Sequence, residues 1–189
     1  MTLVAQDFPE RAFRVTRAQY RSMAEHGAFE GRRVELIRGE IVEMPPQNHP
    51  HSWGVQRLTT LIARALPDGY DVRPQLPVIG PDESEPEPDL LVVRSDPDAT
   101  DHPETALLVV EVADTSVAYD RRVKARLYAE MGIPEMWIVD VSRQRIDVLD
   151  TIDRGEYTRT RPFGPSETVS MGAFPAVRIA VAEVLTKRS

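Results

Sequence analysis

Two apolar runs, "LLVVEV" (107–112) and "MWIVDV" (136–141), constrain the fold of this chain more than any other feature. Both are short, rich in β-branched residues and bounded by turn signals, which is the pattern of a buried strand. The segment between them is helical in pattern. Asp120 stands as its N-cap, it runs to about Met131, and Gly132 and Pro134 stop it. Two strands joined through a helix pair in parallel, so this unit predicts a crossover within one sheet. Trp137, inside the second run, is expected in the core.

Upstream, "YDVRPQLPVIG", "PDLLVVR" and "ALLVVEV" are strand-like runs separated by short turn-rich links, which predicts an antiparallel meander. Before them, "HSWGVQRLTTLIARAL" places Trp53, Leu58, Leu61, Ile62 and Leu66 at helical spacing, and Pro67, Asp68 and Gly69 close that helix. At the start, Thr16 caps the helix "TRAQYRSMAEHG" with Gly27 as its stop, and "RRVELIRGEIVEMPP" alternates around Arg38-Gly39 as a β-hairpin. The acidic, proline-rich "GPDESEPEP" suits an exposed loop. After the core, "RIDVLD" and "EYTRT" predict an antiparallel pair, and "FPAVRIAVAEVL" a short strand or helix against the body. The fold class expected is therefore α/β with a mixed sheet: helix, three-strand meander, helix, strand, with hairpins on either side.

A length of 189 residues with 41% hydrophobic and 28% charged residues fits one globular domain over 1–189, comprising an N-terminal helix and hairpin (1–45), a core (46–141) and C-terminal strands (142–189). No apolar run approaches the roughly 20 residues that span a bilayer. The opening "MTLVAQDFPERAF" meets Asp7, Pro9 and Glu10 too early for a signal-peptide core. The absence of cysteine excludes disulfides, Cys-ligated zinc and thiol catalysis. These features favour the cytoplasm and no membrane partner. A net charge of −7 argues against a protein that coats nucleic acid non-specifically, yet is compatible with an enzyme whose acidic site acts on a phosphodiester.

Glu111 interrupts "LLVVEV", and Asp89 begins "DLLVV". If these strands are antiparallel neighbours, the start of one lies beside the end of the other, and both carboxylates meet at one edge of the sheet. Paired carboxylates repel and resist ionisation unless a cation occupies the gap, and Mg²⁺ or Mn²⁺ is the natural occupant. Alternatively, Asp89 caps a turn and Glu111 sits on an exposed edge. Lys124 lies on the next helix and shares a face with Tyr128 at i, i+4, beside the apolar stripe Val123, Leu127 and Met131. A snorkelling surface lysine is the ordinary reading. However, of 23 Lys plus Arg residues only Lys124 and Lys187 are lysine, so a compact ammonium at 124 is a choice this sequence makes against its own habit. Asp114, Thr115 and Ser116 shape the strand-to-helix turn. The histidines of "NHPH" are separated by Pro50 and lack the further ligands zinc needs.

The segments "EPEPDLLVV", "LLVVEVADTSVAYDRRVKARLYAEMGIPEMWIVDV" and, upstream, "VELIRGEIVEMPPQNHPHSWG" resemble the Uma2 family of endonucleases, within the PD-(D/E)XK restriction-endonuclease-like superfamily. The likeness covers about Val34 to Asp140. It implies a restriction-endonuclease-like core, a divalent metal (Mg²⁺ or Mn²⁺) and hydrolysis of phosphodiester bonds, with nucleic acid, DNA first, as substrate. On that resemblance Asp89 and Glu111 are the metal-binding acids, with the Val112 carbonyl as a further ligand, and Lys124 is the catalytic lysine. The chain departs from the superfamily pattern in two ways. The lysine two residues after the acid is replaced by Ala113, and the helix "HSWGVQRLTTLIARAL" carries no acid. Lys124 would supply the ammonium, and His51, Glu35 or Glu40 could stand in for the missing acid. Two other functions remain open: a catalytically weak or inactive binding or assembly protein on the same fold, and a metal phosphoesterase for small substrates. Apolar elements near the termini make a homodimer plausible.

Overall fold

A computed structural model describes residues 13–113 and 117–185. The opening segment and the turn at Asp114, Thr115 and Ser116 lie outside the described residues. Helix α1 (Arg17–Glu25) starts at a capping box in which Thr16 accepts from the Gln19 backbone and Gln19 reaches back to the Thr16 backbone. The hairpin follows as β1 (Val34–Ile37) and β2 (Glu40–Glu43), turning on Arg38 (φ 51) and Gly39 (φ 77). Two consecutive left-handed residues make the tight turn whose twist suits paired strands. Helix α2 (His49–Ala65) is capped by the Asn48 side chain, which accepts from the His51 N–H.

A sheet of six strands runs in the order β3 (Tyr70–Pro74), β4 (Leu90–Arg94), β5 (Leu108–Ala113), β6 (Glu135–Asp140), β7 (Arg145–Asp153) and β8 (Glu156–Phe163). Neighbours are antiparallel except β5 and β6, which pair in parallel, as the intervening helix requires. A small hairpin, β9 (Thr168–Ser170) with β10 (Arg178–Ala180), and the short α5 (Val181–Val184) complete the chain, so the C-terminal segment forms both a strand and a helix.

Side chains alternate across the sheet. Leu108, Val110 and Val112 join Leu58 and Ile62 of α2 and Val181 and Val184 of α5 in one core layer. Val109 and Ala113 join Tyr128, Met136 and Ile138 in the other. Glu111, at the same parity as Val109 and Ala113, therefore projects into the second layer, on the side of the helix that follows β5. A Cβ at Gly54 would stand 3.1 Å from Val112 Cγ1, so glycine there lets α2 lie close against β5. Apolar residues near the C-terminus, Ile179, Val181 and Val184, are buried within the chain's own core.

The structure corrects four expectations. The helix after β5 already begins with α3 (Val117–Tyr119), so Asp120 does not cap it. Asp120 instead opens a π-helical turn (Asp120–Lys124) closed by the Ala125 N–H to the Asp120 carbonyl, and α4 (Ala125–Glu130) continues from there. The segment "GPDESEPEP" is not simply an exposed loop. Ser84, Glu85, Pro86 and Pro88 are buried, because Glu85 and Leu36 exchange backbone hydrogen bonds of 2.7 and 3.3 Å and the Glu85 carboxylate takes Arg21 at 2.8 Å. Only the first half of "YDVRPQLPVIG" is strand; Gln75, at φ 52, ends it. Trp53 is 38% exposed and lies beside Arg57, because the buried stripe of α2 is Gly54, Val55, Leu58 and Ile62.

The two sides of α2 predict unequal costs. Leu58→Ala should lower the unfolding free energy in urea by about 2–5 kcal/mol, and Trp53→Ala by about 1 kcal/mol or less. Equal losses would show that α2 is seated by a different face.

Candidate active site

A cavity of about 390 Å³ opens where the sheet, the first turn of α2, the hairpin and the π-helical turn converge. Asp89 and Glu111 come together by register. Leu90 pairs with Val110, so the next rung outward sets Asp89 beside Glu111 at the mouth of β4 and β5. The Asp89 Oδ2 accepts from the Val112 N–H at 2.8 Å and from His51 Nε2 at 3.0 Å. His51 Nδ1 is buried and has no hydrogen-bond partner among the described residues.

Glu111 is only 4% exposed. Its Oε1 accepts from Lys124 Nζ at 3.1 Å and from the Tyr128 hydroxyl at 2.7 Å. Lys124 and Tyr128 are four residues apart on one helical face and both reach the same oxygen, so the helix grips the strand at this point. Lys124 does not snorkel. It is 5% exposed, and its ammonium also meets Glu35 Oε2 at 3.1 Å. The face carrying Lys124 and Tyr128 is the buried one, while Val123 and Met131 are only half-buried.

Glu35 arrives from β1, 1% exposed, and accepts from the Glu87 N–H at 3.2 Å. Glu40 does not reach the site. It pairs with Ile37, two residues beyond Glu35, and a strand advances about 3.3 Å per residue. Its side chain is 70% exposed and faces Arg14 at 3.9 Å. Asp89, Glu111, Val112, Lys124, His51 and Glu35 thus line one cavity.

Two residues that sequence reasoning gave no part in the site belong to this cluster. Asp120, 3% exposed, lines the cavity from the π-helical turn. Tyr128 anchors Glu111 from below. The signal was the spacing Asp120, Lys124, Tyr128, four residues at each step, which puts acid, ammonium and hydroxyl along one side of the helix.

Glu35 and Glu111 contact the Lys124 ammonium, Asp120 acts on it through its charge, and Asp89 lies beside Glu111 on the neighbouring strand. Burial pushes the pKa of Glu111 well up, with Asp120, Asp89 and Glu35 adding to the shift and Lys124 opposing it. Burial alone would lower the pKa of Lys124, but Glu111, Glu35 and Asp120 outweigh it and hold the ammonium charged. Burial, followed by Glu111 and Glu35, raises the Tyr128 hydroxyl too, so it acts as a neutral donor. Tyr119, at the cavity wall, is pushed up to about 12 by burial and the nearby Glu35. Burial leads the shifts of Glu111, Tyr128 and Tyr119, and neighbouring carboxylates add to each, while at Lys124 the carboxylates outweigh burial.

The donors suit a hard divalent ion. Each of the two edge carboxylates commits one oxygen to holding itself in place: Oδ2 of Asp89 to His51 and Val112, and Oε1 of Glu111 to Lys124 and Tyr128. The second oxygen of each lies outside those bonds, apart from a 3.5 Å contact from Gln75 to Asp89 Oδ1. Among the described residues no three His, Asp or Glu side chains form a metal cage by themselves. Two carboxylates and a carbonyl are the kind of partial shell in which Mg²⁺ retains several of its waters.

Comparison with known proteins agrees with this architecture. In overall structure the chain is similar to a protein from Anabaena variabilis ATCC 29413 described as "a putative nuclease belonging to DUF820", with a TM-score of 0.70, 14% sequence identity, and coverage of 90% of this chain and 97% of that one. No curated protein matches it. Among the described residues, no helix is long and apolar enough to cross a membrane. Residues 17–182 match the sequence model of Uma2, described as "Putative restriction endonuclease", and the chain belongs to that family.

Proposed function

We propose that this chain is a divalent-metal-dependent endonuclease that hydrolyses phosphodiester bonds of nucleic acid, with DNA as the first substrate to test. The observation that carries the reading is the junction of Asp89 and Glu111 on adjacent strand ends with a buried lysine bonded to Glu111, all in one cavity. Membership of the Uma2 family supports it.

In hydrolysis, water oxygen bonds to phosphorus, the P–O bond to the leaving sugar oxygen breaks, and the proton shed by water is balanced by the one that oxygen takes up. A Mg²⁺ or Mn²⁺ ion held by Asp89, Glu111 and the Val112 carbonyl would acidify a bound water and offset charge on the phosphoryl oxygens. Lys124 Nζ, kept protonated between Glu111 and Glu35, donates to the negative oxygens as charge grows on them. Glu35 aims that ammonium from the hairpin side. His51 holds Asp89 by the same oxygen that takes the Val112 N–H, leaving Oδ1 outside both bonds. Tyr128, in the layer into which Glu111 projects, fixes the Glu111 Oε1 that Lys124 also holds. The burial of Glu111, Glu35 and Lys124 lowers the local dielectric and strengthens each of these interactions.

A cavity of about 390 Å³ also suits a phosphoesterase of small diesters, which is the second reading. A screen of polynucleotides beside a small chromogenic phosphodiester, with Mn²⁺ or Mg²⁺, separates the two. Cleavage of the polynucleotide should fall by about 100-fold or more in both Asp89→Ala and Lys124→Ala, with each variant's fold checked by circular dichroism. An undiminished rate in either variant removes the assignment of chemistry to this site.

Ion binding carries its own pH signature. Because Glu111 titrates above the usual carboxylate range, it retains its proton into less acidic solution, and an ion must displace that proton. Mn²⁺ affinity should therefore rise as pH rises from acidic towards neutral, with proton release visible by calorimetry in buffers of different ionisation enthalpy. A pH-independent affinity with no proton release would contradict the placement of the ion at Glu111.

A further inference from the structure

We infer that the arginines of the β6–β7 turn and of the neighbouring π-helical turn hold the phosphate backbone of the nucleic acid beside the cavity. The inference rests on the nuclease reading and adds to it where the strand lies. Register sets the positions. Glu111 pairs with Ile138 and Ile138 with Asp147, so Glu111 and Asp147 stand on one row of the sheet, about 10 Å apart across two strand spacings. Ile138 packs in the layer on the helix side, and its neighbours on that row share its face. The helix spans the gap: Lys124 reaches Glu111, and Arg121, three residues earlier, reaches Asp147. Two residues further out, Ala113 pairs with Asp140 and Asp140 with Arg145, so the β6–β7 turn lies at the same edge of the sheet as the cavity.

Charge is the second observation. Asp147, 1% exposed, accepts from Arg121 through Oδ2, and Arg145 Nε lies 3.2 Å from that same oxygen without a hydrogen bond to it. Asp140, also buried, takes the Ser142 hydroxyl at 2.8 Å and the Arg143 N–H at 2.9 Å. The Arg143 guanidinium stays 3.8 Å from Asp140, beyond hydrogen-bond reach, and its side chain is 64% exposed. Arg122, next to Arg121 on the helix, is exposed as well. Two buried acids thus stand under four arginines, a local surplus of positive charge in a chain whose net charge is −7.

The arrangement suits phosphate. Asp147 engages one nitrogen each of Arg121 and Arg145, whose side chains are 30% and 32% exposed, so each guanidinium is steadied from below and keeps further N–H donors for a ligand. An arginine fixed in this way loses less freedom on binding, and its planar fork matches two phosphate oxygens. The spacing suits a polymer. Each strand of a duplex carries a phosphate per about 3.4 Å of axis. With the scissile phosphate at Lys124, the backbone about three steps along therefore falls near Arg121 and Arg145, about 10 Å across the sheet. A small diester held in the cavity ends before it reaches them.

The test follows cleavage of end-labelled DNA by the full chain with Mn²⁺ over a salt series, beside the small chromogenic phosphodiester. Arg122→Gln/Arg143→Gln removes two exposed charges and leaves Asp147 with both of its arginines. KM for the DNA should rise by about tenfold with kcat within about twofold, and the fall of log kcat/KM with log salt should become shallower by about one unit or more. Hydrolysis of the small diester should stay as it was. Arg145→Gln should act in the same direction, and Arg145→Lys, which keeps the charge, should recover most of the salt dependence; circular dichroism checks each fold. An unchanged KM and salt dependence in these variants overturns the inference and leaves the nuclease reading standing. Equal losses on DNA and on the small diester overturn it too, since the arginines would then act on the cavity itself. No cleavage of any polynucleotide with Mn²⁺ or Mg²⁺ overturns the nuclease reading and the inference with it.

Discussion

The ammonium of Lys124, buried between Glu111 and Glu35, is the contact on which the arrangement of this molecule turns. It joins three separately folded pieces: a central strand, the helix that follows it, and a hairpin outside the main sheet. Removing one partner of a buried ion pair strands the others without solvent, at a cost of about 3–5 kcal/mol. Well-packed apolar residues in the same space would often be no less stable. A chain that keeps four carboxylates and a lysine here holds charge where stability does not require it, which supports the proposal that this cluster is a site.

The geometry of that contact depends on the π-helical turn. Both end residues of this turn, Asp120 and Lys124, lie on the buried side. Such turns recur at functional sites. Here the opposite side of the same turn is tied down by Arg121, which pairs with Asp147 on β7. The turn is thus braced against the sheet on one flank while it presents Asp120 and Lys124 on the other.

Much of this was legible in the residues. The antiparallel meander, the parallel pair joined through the helix between "LLVVEV" and "MWIVDV", and the antiparallel pair that ends the sheet were expected from the sequence, and the structure has those directions. Glu111 was conspicuous because a carboxylate in an apolar strand needs a partner, and Asp89 followed because antiparallel neighbours bring a start beside an end. Lys124 was visible through its spacing to Tyr128 and its rarity among cations. By contrast, Glu35 and Glu40 could not be told apart. They differ only in which rung of a short hairpin faces the cavity, and the docking of that hairpin is decided by the Glu85–Leu36 backbone exchange, which involves groups every residue carries. The acidic composition of "GPDESEPEP" read as solvent-exposed for the same reason: its burial is driven by backbone pairing and by Arg21, neither of which shows in local pattern.

The sequence by itself determined the order of elements, the directions of the strands and the meeting of Asp89, Glu111 and Lys124, because periodicity and link length act locally and are written residue by residue. Only the tertiary structure decided that Glu35 rather than Glu40 closes the cluster and that Asp120 lines the cavity rather than capping a helix. Those outcomes arise from packing between pieces far apart in the chain. Packing between distant pieces leaves no period in the sequence from which it could be read, whereas the four-residue spacing of Asp120, Lys124 and Tyr128 did.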